Sequence, residues 1–162
     1  MKDSKTVIEK LTKRSDRRSA IVLFFMFSRF EYALKQAGYL QVNEEAKPDW
    51  DRYARDHPAL LASISSSEFT EAVDLLRDTP PKKQIIRDGH LHWDQDRFVS
   101  GFDLARLLCL VRRVRNNLFH GGKVLELDGD RNTKLIDASI AVIQAILASD
   151  DSLRQNFMKG LE

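Results

Sequence analysis

An all-α helical bundle is the fold class this sequence predicts, and three observations carry the prediction. Apolar residues recur at helical spacing in three separate stretches, near residues 19–37, 100–118 and 131–148. Gly38 and Gly121-Gly122 stand where the first two stretches should stop, because glycine takes the left-handed conformation of a helix end without a steric penalty. Pro80-Pro81 closes a shorter pattern between them, since proline cannot continue the hydrogen-bond ladder. The expected architecture has two long apolar core helices, additional shorter helices and a small hairpin insertion.

A chain of 162 residues fits one domain, taken as residues 1–162, and is long enough to bury a core. At 43% hydrophobic and 31% charged, its composition is that of an ordinary globular protein. A net charge of +2 and a pI near 8.7 do not announce a nucleic-acid binder, although a local basic patch matters more than the total. The single Cys109 leaves no intrachain disulfide framework and no cysteine-rich zinc site. Lying among Leu107, Leu108 and Leu110, it is expected to be a buried thiol. Arg18, Arg29 and Glu31 bracket the apolar run 20–27 too closely for a membrane span, and no signal-peptide pattern precedes it. The expectation is a cytoplasmic protein with no membrane association.

Along the chain, residues 1–18 are mostly charged, with Val7, Ile8 and Leu11 at helical spacing. The helix near 19–37 carries two apolar stripes. Ile21, Phe24 and Phe25 lead into Ser28, Tyr32 and Lys35 on one side; Leu23, Phe27, Phe30 and Leu34 form the other. A helix apolar around so much of its circumference is expected to be packed by more than one neighbour. Arg29 reads as an exposed or snorkelling side chain, whereas Glu31 either sits on a solvated face or turns inward to orient a basic group.

Residues 39–66, broken by Pro48 and Pro58, read as a connection with short helical pieces at Trp50, Tyr53, Leu60 and Leu61. Ser65 or Ser67 is placed to cap a helix running to about Arg77, with Glu68 completing a capping box with Ser65. Asp88-Gly89 between two short runs predicts a small hairpin or an irregular lid. His90 and His92 would share a strand face with Asp94 and Asp96, a parity that suits a divalent metal, but an ordinary exposed hairpin is the preferred reading. No metal and no cofactor are expected. Ser100 is expected to start the second long helix, with Asp103 as its cap partner. A helix over 131–148 and a short terminal one within 150–160 complete the chain.

The chemistry is concentrated in residues 112–123, Arg-Arg-Val-Arg-Asn-Asn-Leu-Phe-His-Gly-Gly-Lys, with no acidic residue among them. At 100° per residue Asn116 and His120 share a helical face, with Arg115 on its flank. Guanidinium forks suit phosphate oxygens, and an imidazole moves protons near neutral pH. His120 is the candidate acid or base, Arg115 the electrostatic stabiliser and Asn116 the orienter of the imidazole. Arg112, Arg113 and Lys123 add positive potential for RNA or phosphate. One histidine serves both ends of an in-line displacement poorly, and a symmetric homodimer supplies a second. The plain alternative is a cationic cap on the negative end of the helix dipole.

The string Arg115-Asn116-Asn117-Leu118-Phe119-His120, followed by Gly121, resembles the R-x4-H signature of the HEPN superfamily (higher eukaryotes and prokaryotes nucleotide-binding), in which a polar residue follows the arginine. The resemblance covers the helices near 19–38 and 100–148 and leaves 39–99 unmatched. It implies a helical homodimer that is often a metal-independent endoribonuclease of toxin–antitoxin, defence or RNA-processing systems. Arg115 and His120 would be its catalytic pair, supported by Asn116. RNA is the implied substrate, and an antitoxin or nucleotidyltransferase the implied partner. Members regulated by adenylylation carry a tyrosine two positions after the histidine, where this chain has Gly122. Other members bind RNA, nucleotide or protein without catalysis, and a purely structural oligomerisation domain is the third reading.

Overall fold

A computed structural model of the chain describes residues 17–42, 45–95, 101–119 and 129–161. Helix α1 (Arg17–Gln36) is formed by the stripe Leu23, Phe27, Phe30 and Leu34, all of it buried. Gly38 ends it with φ +88°: its N–H donates to the Lys35 carbonyl at 3.1 Å, and the Tyr39 N–H to the Leu34 carbonyl at 2.9 Å. The second stripe behaves differently from expectation. Ile21, Phe24 and Phe25 are exposed, whereas the stripe Leu23, Phe27, Phe30 and Leu34 is the one that the other described elements cover.

Helix α2 (Trp50–Asp56) adds an aromatic block to that side. The Trp50 ring stacks on Phe27 at 5.3 Å and on Phe30 at 5.4 Å, while Tyr53 meets Phe30 and Tyr39 edge-on. Asp49 caps α2 by accepting the Arg52 N–H at 2.9 Å. A single turn, α3 (Leu60–Ser63), leads to α4 (Ser67–Asp78). The cap of α4 is Ser66, whose Oγ accepts the Phe69 N–H at 3.2 Å, and neither Ser65 nor Ser67. Three consecutive serines offer the same chemistry, and burial of Phe69, Ala72 and Leu76 selects among them.

Beyond Pro80-Pro81 comes the hairpin, β1 (Lys83–Arg87) antiparallel to β2 (His90–Asp94), with Ile86 opposite Leu91 and Arg87 opposite His90. Asp88 and Gly89 take φ +52° and +75°, the two positive values that a tight hairpin turn requires. Helix α5 (Leu104–Phe119) follows. Its described cap is Asp103, whose carboxylate accepts the Arg106 N–H at 2.9 Å, so Asp103 precedes the first turn instead of sitting inside it. Ser100 lies outside the described residues.

Helix α6 (Gly129–Ser149) is the centre of the packing, in contact with α1, α4, α5 and α7 (Asp151–Met158). Leu135, Ile136, Val142, Ile143, Ile146 and Leu147 are buried along it. The fully buried Ser139 satisfies its hydroxyl on the Leu135 carbonyl at 2.8 Å, so it carries no unmet polar group into the core. The class is therefore mostly helical, with one small antiparallel sheet. Among the described residues no helix is long and apolar enough to cross a membrane.

Candidate functional site

Helix α5 buries one face, through Leu104, Leu107, Leu108, Leu110, Val111 and Val114. The opposite face carries Cys109 and Asn116, seven residues apart and both exposed. The thiol is thus not buried as its leucine neighbours suggested. Adjacency in sequence is not adjacency on a helix, and Cys109 is turned away from the face that Leu107 and Leu110 share.

Two arginines of α5 lie on the aromatic block. The Arg112 guanidinium sits 5.5 Å from the centre of the Trp50 ring, and that of Arg115 sits 5.1 Å from Phe27. Trp50 and Phe27 are only 4% and 2% exposed, so these cations are part of what covers the rings. Arg115 Nη1 donates to Asn116 Oδ1 at 3.1 Å. Asn116 thereby orients the arginine. Its proposed contact with His120 falls outside the described residues, as do His120 and Lys123 themselves.

Glu31 joins this cluster from α1. It lies one helical turn beyond Phe27, the residue whose ring Arg115 covers. Burial pushes its carboxyl above the ordinary glutamate range, against the opposing pull of Arg115, Lys35 and Arg112. Of the two readings of Glu31, the half-buried one beside basic groups is the one the fold adopts.

Arg113 and Asn117 face another way. Arg113 Nη1 donates to the Pro81 carbonyl at 3.3 Å, and Asn117 Nδ2 to the Lys82 carbonyl at 2.7 Å. Arg131 of α6 takes the Pro80 carbonyl at 3.0 Å. Three successive carbonyls at the hairpin root are thus gripped by side chains of α5 and α6. Proline supplies no N–H, and the extended chain there leaves its carbonyls for side-chain donors. Asn117, buried at 7% exposure, was missed as a positioning residue; its repetition after Asn116 concealed the change of face.

A second polar cluster had no sequence signal. Tyr53 donates its hydroxyl to Asp150 Oδ2 at 3.0 Å, and His57 Nε2 lies 3.6 Å from the same oxygen. Asp150 Oδ1 accepts the Leu153 N–H at 2.9 Å and so caps α7. Burial first, then the Asp150 carboxylate, hold the Tyr53 hydroxyl far above the ordinary tyrosine range. The other end of α7 is held by Arg29, which donates to the Phe157 and Lys159 carbonyls rather than lying on the surface.

His90, His92 and Asp94 do share a strand face and are all exposed. Among the described residues, no group of three or more His, Cys, Asp or Glu is arranged to hold a metal ion. No protein-family model, no curated protein and no solved structure matches the chain.

Proposed function

We propose that the chain is a HEPN-like, homodimeric, metal-independent endoribonuclease. The observation that carries this reading is the pair Arg112 and Arg115, laid on the rings of Trp50 and Phe27 just before His120, with Asn116 bonded to Arg115. In the proposed reaction the 2′-hydroxyl loses its proton to a base as its oxygen bonds to the neighbouring phosphorus. The bond from phosphorus to the 5′-oxygen breaks, and that oxygen takes up a proton. The products are a 2′,3′-cyclic phosphate and a 5′-hydroxyl end.

His120 acts as acid or base, and Arg115 stabilises the charge that accumulates on the equatorial oxygens. Arg112 and Lys123 draw the polyanion in, while Arg113 serves chiefly by holding the hairpin root. A second copy supplies the second histidine. Ile21, Val22, Phe24 and Phe25, between 40% and 61% exposed, form an apolar face of α1 suited to that copy. A toxin or defence role in the cytoplasm, with an antitoxin or nucleotidyltransferase partner, belongs to the same proposal.

Cleavage of RNA in EDTA, with His120→Ala as the control, tests it. The wild type should cut, and the variant should lose about 10²- to 10⁴-fold in rate. Cleavage that persists in His120→Ala, or that vanishes with chelator, sinks the mechanism. Salt-sensitive binding without scission would instead assign the chain to the non-catalytic members.

A further inference from the structure

The hairpin, like one face of α1, exposes large apolar side chains that the other described elements do not cover. Ile86 and Leu91 pair directly across the strands, yet they are 77% and 73% exposed. Trp93, half-buried, lies on the same side of the ribbon, since residues two apart share a face. The opposite side carries Lys83, the half-buried Ile85, Arg87, His90 and His92, with Asp94 paired to Lys83 as its one acid.

The root of this ribbon is not loose. Pro80, Pro81 and Lys82 give their carbonyls to Arg131, Arg113 and Asn117. Two of those donors belong to α5, interleaved with Arg112, Arg115 and Asn116. Arg112 and Arg113 are successive residues and so point about 100° apart on the helix. The arm therefore leaves one flank of α5 while the stacked arginines occupy the next, and its orientation is tied to theirs.

We propose that the β1–β2 hairpin is a substrate arm that grips single-stranded RNA beside the Arg112–Arg115 cluster. Its two outermost rungs divide the work. Arg87 and His90, continued by His92 and Lys83, contact phosphate oxygens. Ile86 and Leu91 meet unstacked bases, as apolar side chains do when they wedge against nucleic-acid bases. A strand passing round the tip encounters both surfaces. A protein partner would use the Ile86–Leu91 pair alone; the cationic opposite face and its bond to the basic helix favour RNA. This inference rests on the endoribonuclease reading, but it assigns a different part of the molecule.

The test uses the full chain, in EDTA, with a fluorescent 2′-O-methyl oligouridine that cannot be cleaved by 2′-hydroxyl attack. Affinity is followed by anisotropy across a salt series. Lys83→Glu combined with Arg87→Glu should raise Kd at least about tenfold and flatten the log–log salt slope by roughly 1.4, for two lost phosphate contacts. Ile86→Ser with Leu91→Ser should raise Kd severalfold and leave the slope unchanged. All four positions are on the exposed ribbon, and unfolding temperatures should match the wild type.

Wild-type binding with unchanged Kd and slope in both variants overturns the arm and leaves the endoribonuclease reading standing. A changed oligomeric state in Ile86→Ser/Leu91→Ser with unaltered RNA affinity also overturns it, in favour of a protein contact. If the wild type itself binds no RNA even at about 50 mM salt, the broader reading fails and the arm fails with it.

Discussion

The polar cluster at Asp150 and the one on the C-terminal half of α5 are built on opposite charges and end differently. Around Asp150, the Tyr53 hydroxyl, the His57 imidazole and the Leu153 N–H all converge on one carboxylate. That acceptor is engaged by its own chain and pins α7 to α2. On α5, Arg113 and Asn117 do the same kind of work at the hairpin root, but Arg112 and Arg115 rest on aromatic faces beside Glu31. The first cluster ties helices together through one carboxylate; the second gathers positive charge over the aromatic block, beside a carboxylate that burial pushes toward its neutral form.

The contrast can be broken most sharply at Arg115. Arg115→Ala should lower the rate of RNA cleavage by about 10²- to 10³-fold. Its unfolding free energy should fall by no more than about 1–2 kcal/mol, from the lost cover over Phe27. Equal activity in single-turnover assays would erase the distinction between the clusters. Asp150→Ala should do the reverse. Losing the α7 cap costs about 1 kcal/mol, and stranding the buried Tyr53 hydroxyl about 1–3 more. Cleavage per folded molecule should stay at the wild-type level, as urea unfolding read alongside activity will show.

A smaller effect is expected at Asn117, which belongs to the holding class although it lies inside the basic stretch. Asn117→Ala should cost about 1–2 kcal/mol. It should also speed hydrogen exchange in the hairpin amides while sparing α7; uniform protection across both would separate the arm from α5. The smallest effect concerns Glu31. Its pKa is raised in the folded protein, so the fold binds that proton more tightly than the unfolded chain does. Stability from this source is fully present below the ordinary value of 4.5 and is lost as pH rises through the folded value. Glu31→Gln should therefore gain on the wild type, by no more than about 1 kcal/mol, as pH rises above 4.5. A variant that loses ground over that range would show the surrounding cations outweighing burial.

Much of the fold was legible before any tertiary contact. Gly38, Pro80-Pro81 and Asp88-Gly89 act within a few residues of themselves, and each ended or turned the chain where local sterics require. The two stripes of α1 were equally legible as apolar, but only one is buried by the other described elements. Which stripe is covered depends on where α6 and α7 lie, and α1 alone holds no record of that. The serine run before α4 shows the same limit at one-residue scale: chemistry was readable, register was not.

For the candidate site the division is similar. Sequence by itself determined that residues 112–117 are basic, amphipathic and followed by a histidine before a glycine pair. It determined the helical class and the hairpin, because periodicity and turn sterics are local properties. Tertiary structure alone decided which arginines rest on rings and which grip carbonyls. It decided that Cys109 faces out, that Glu31 faces the cations, and that Tyr53, His57 and Asp150 meet. Those outcomes follow from the angular position of each residue on its helix and from what the neighbouring helices bring to it. Neither is settled until the core along α6 has closed.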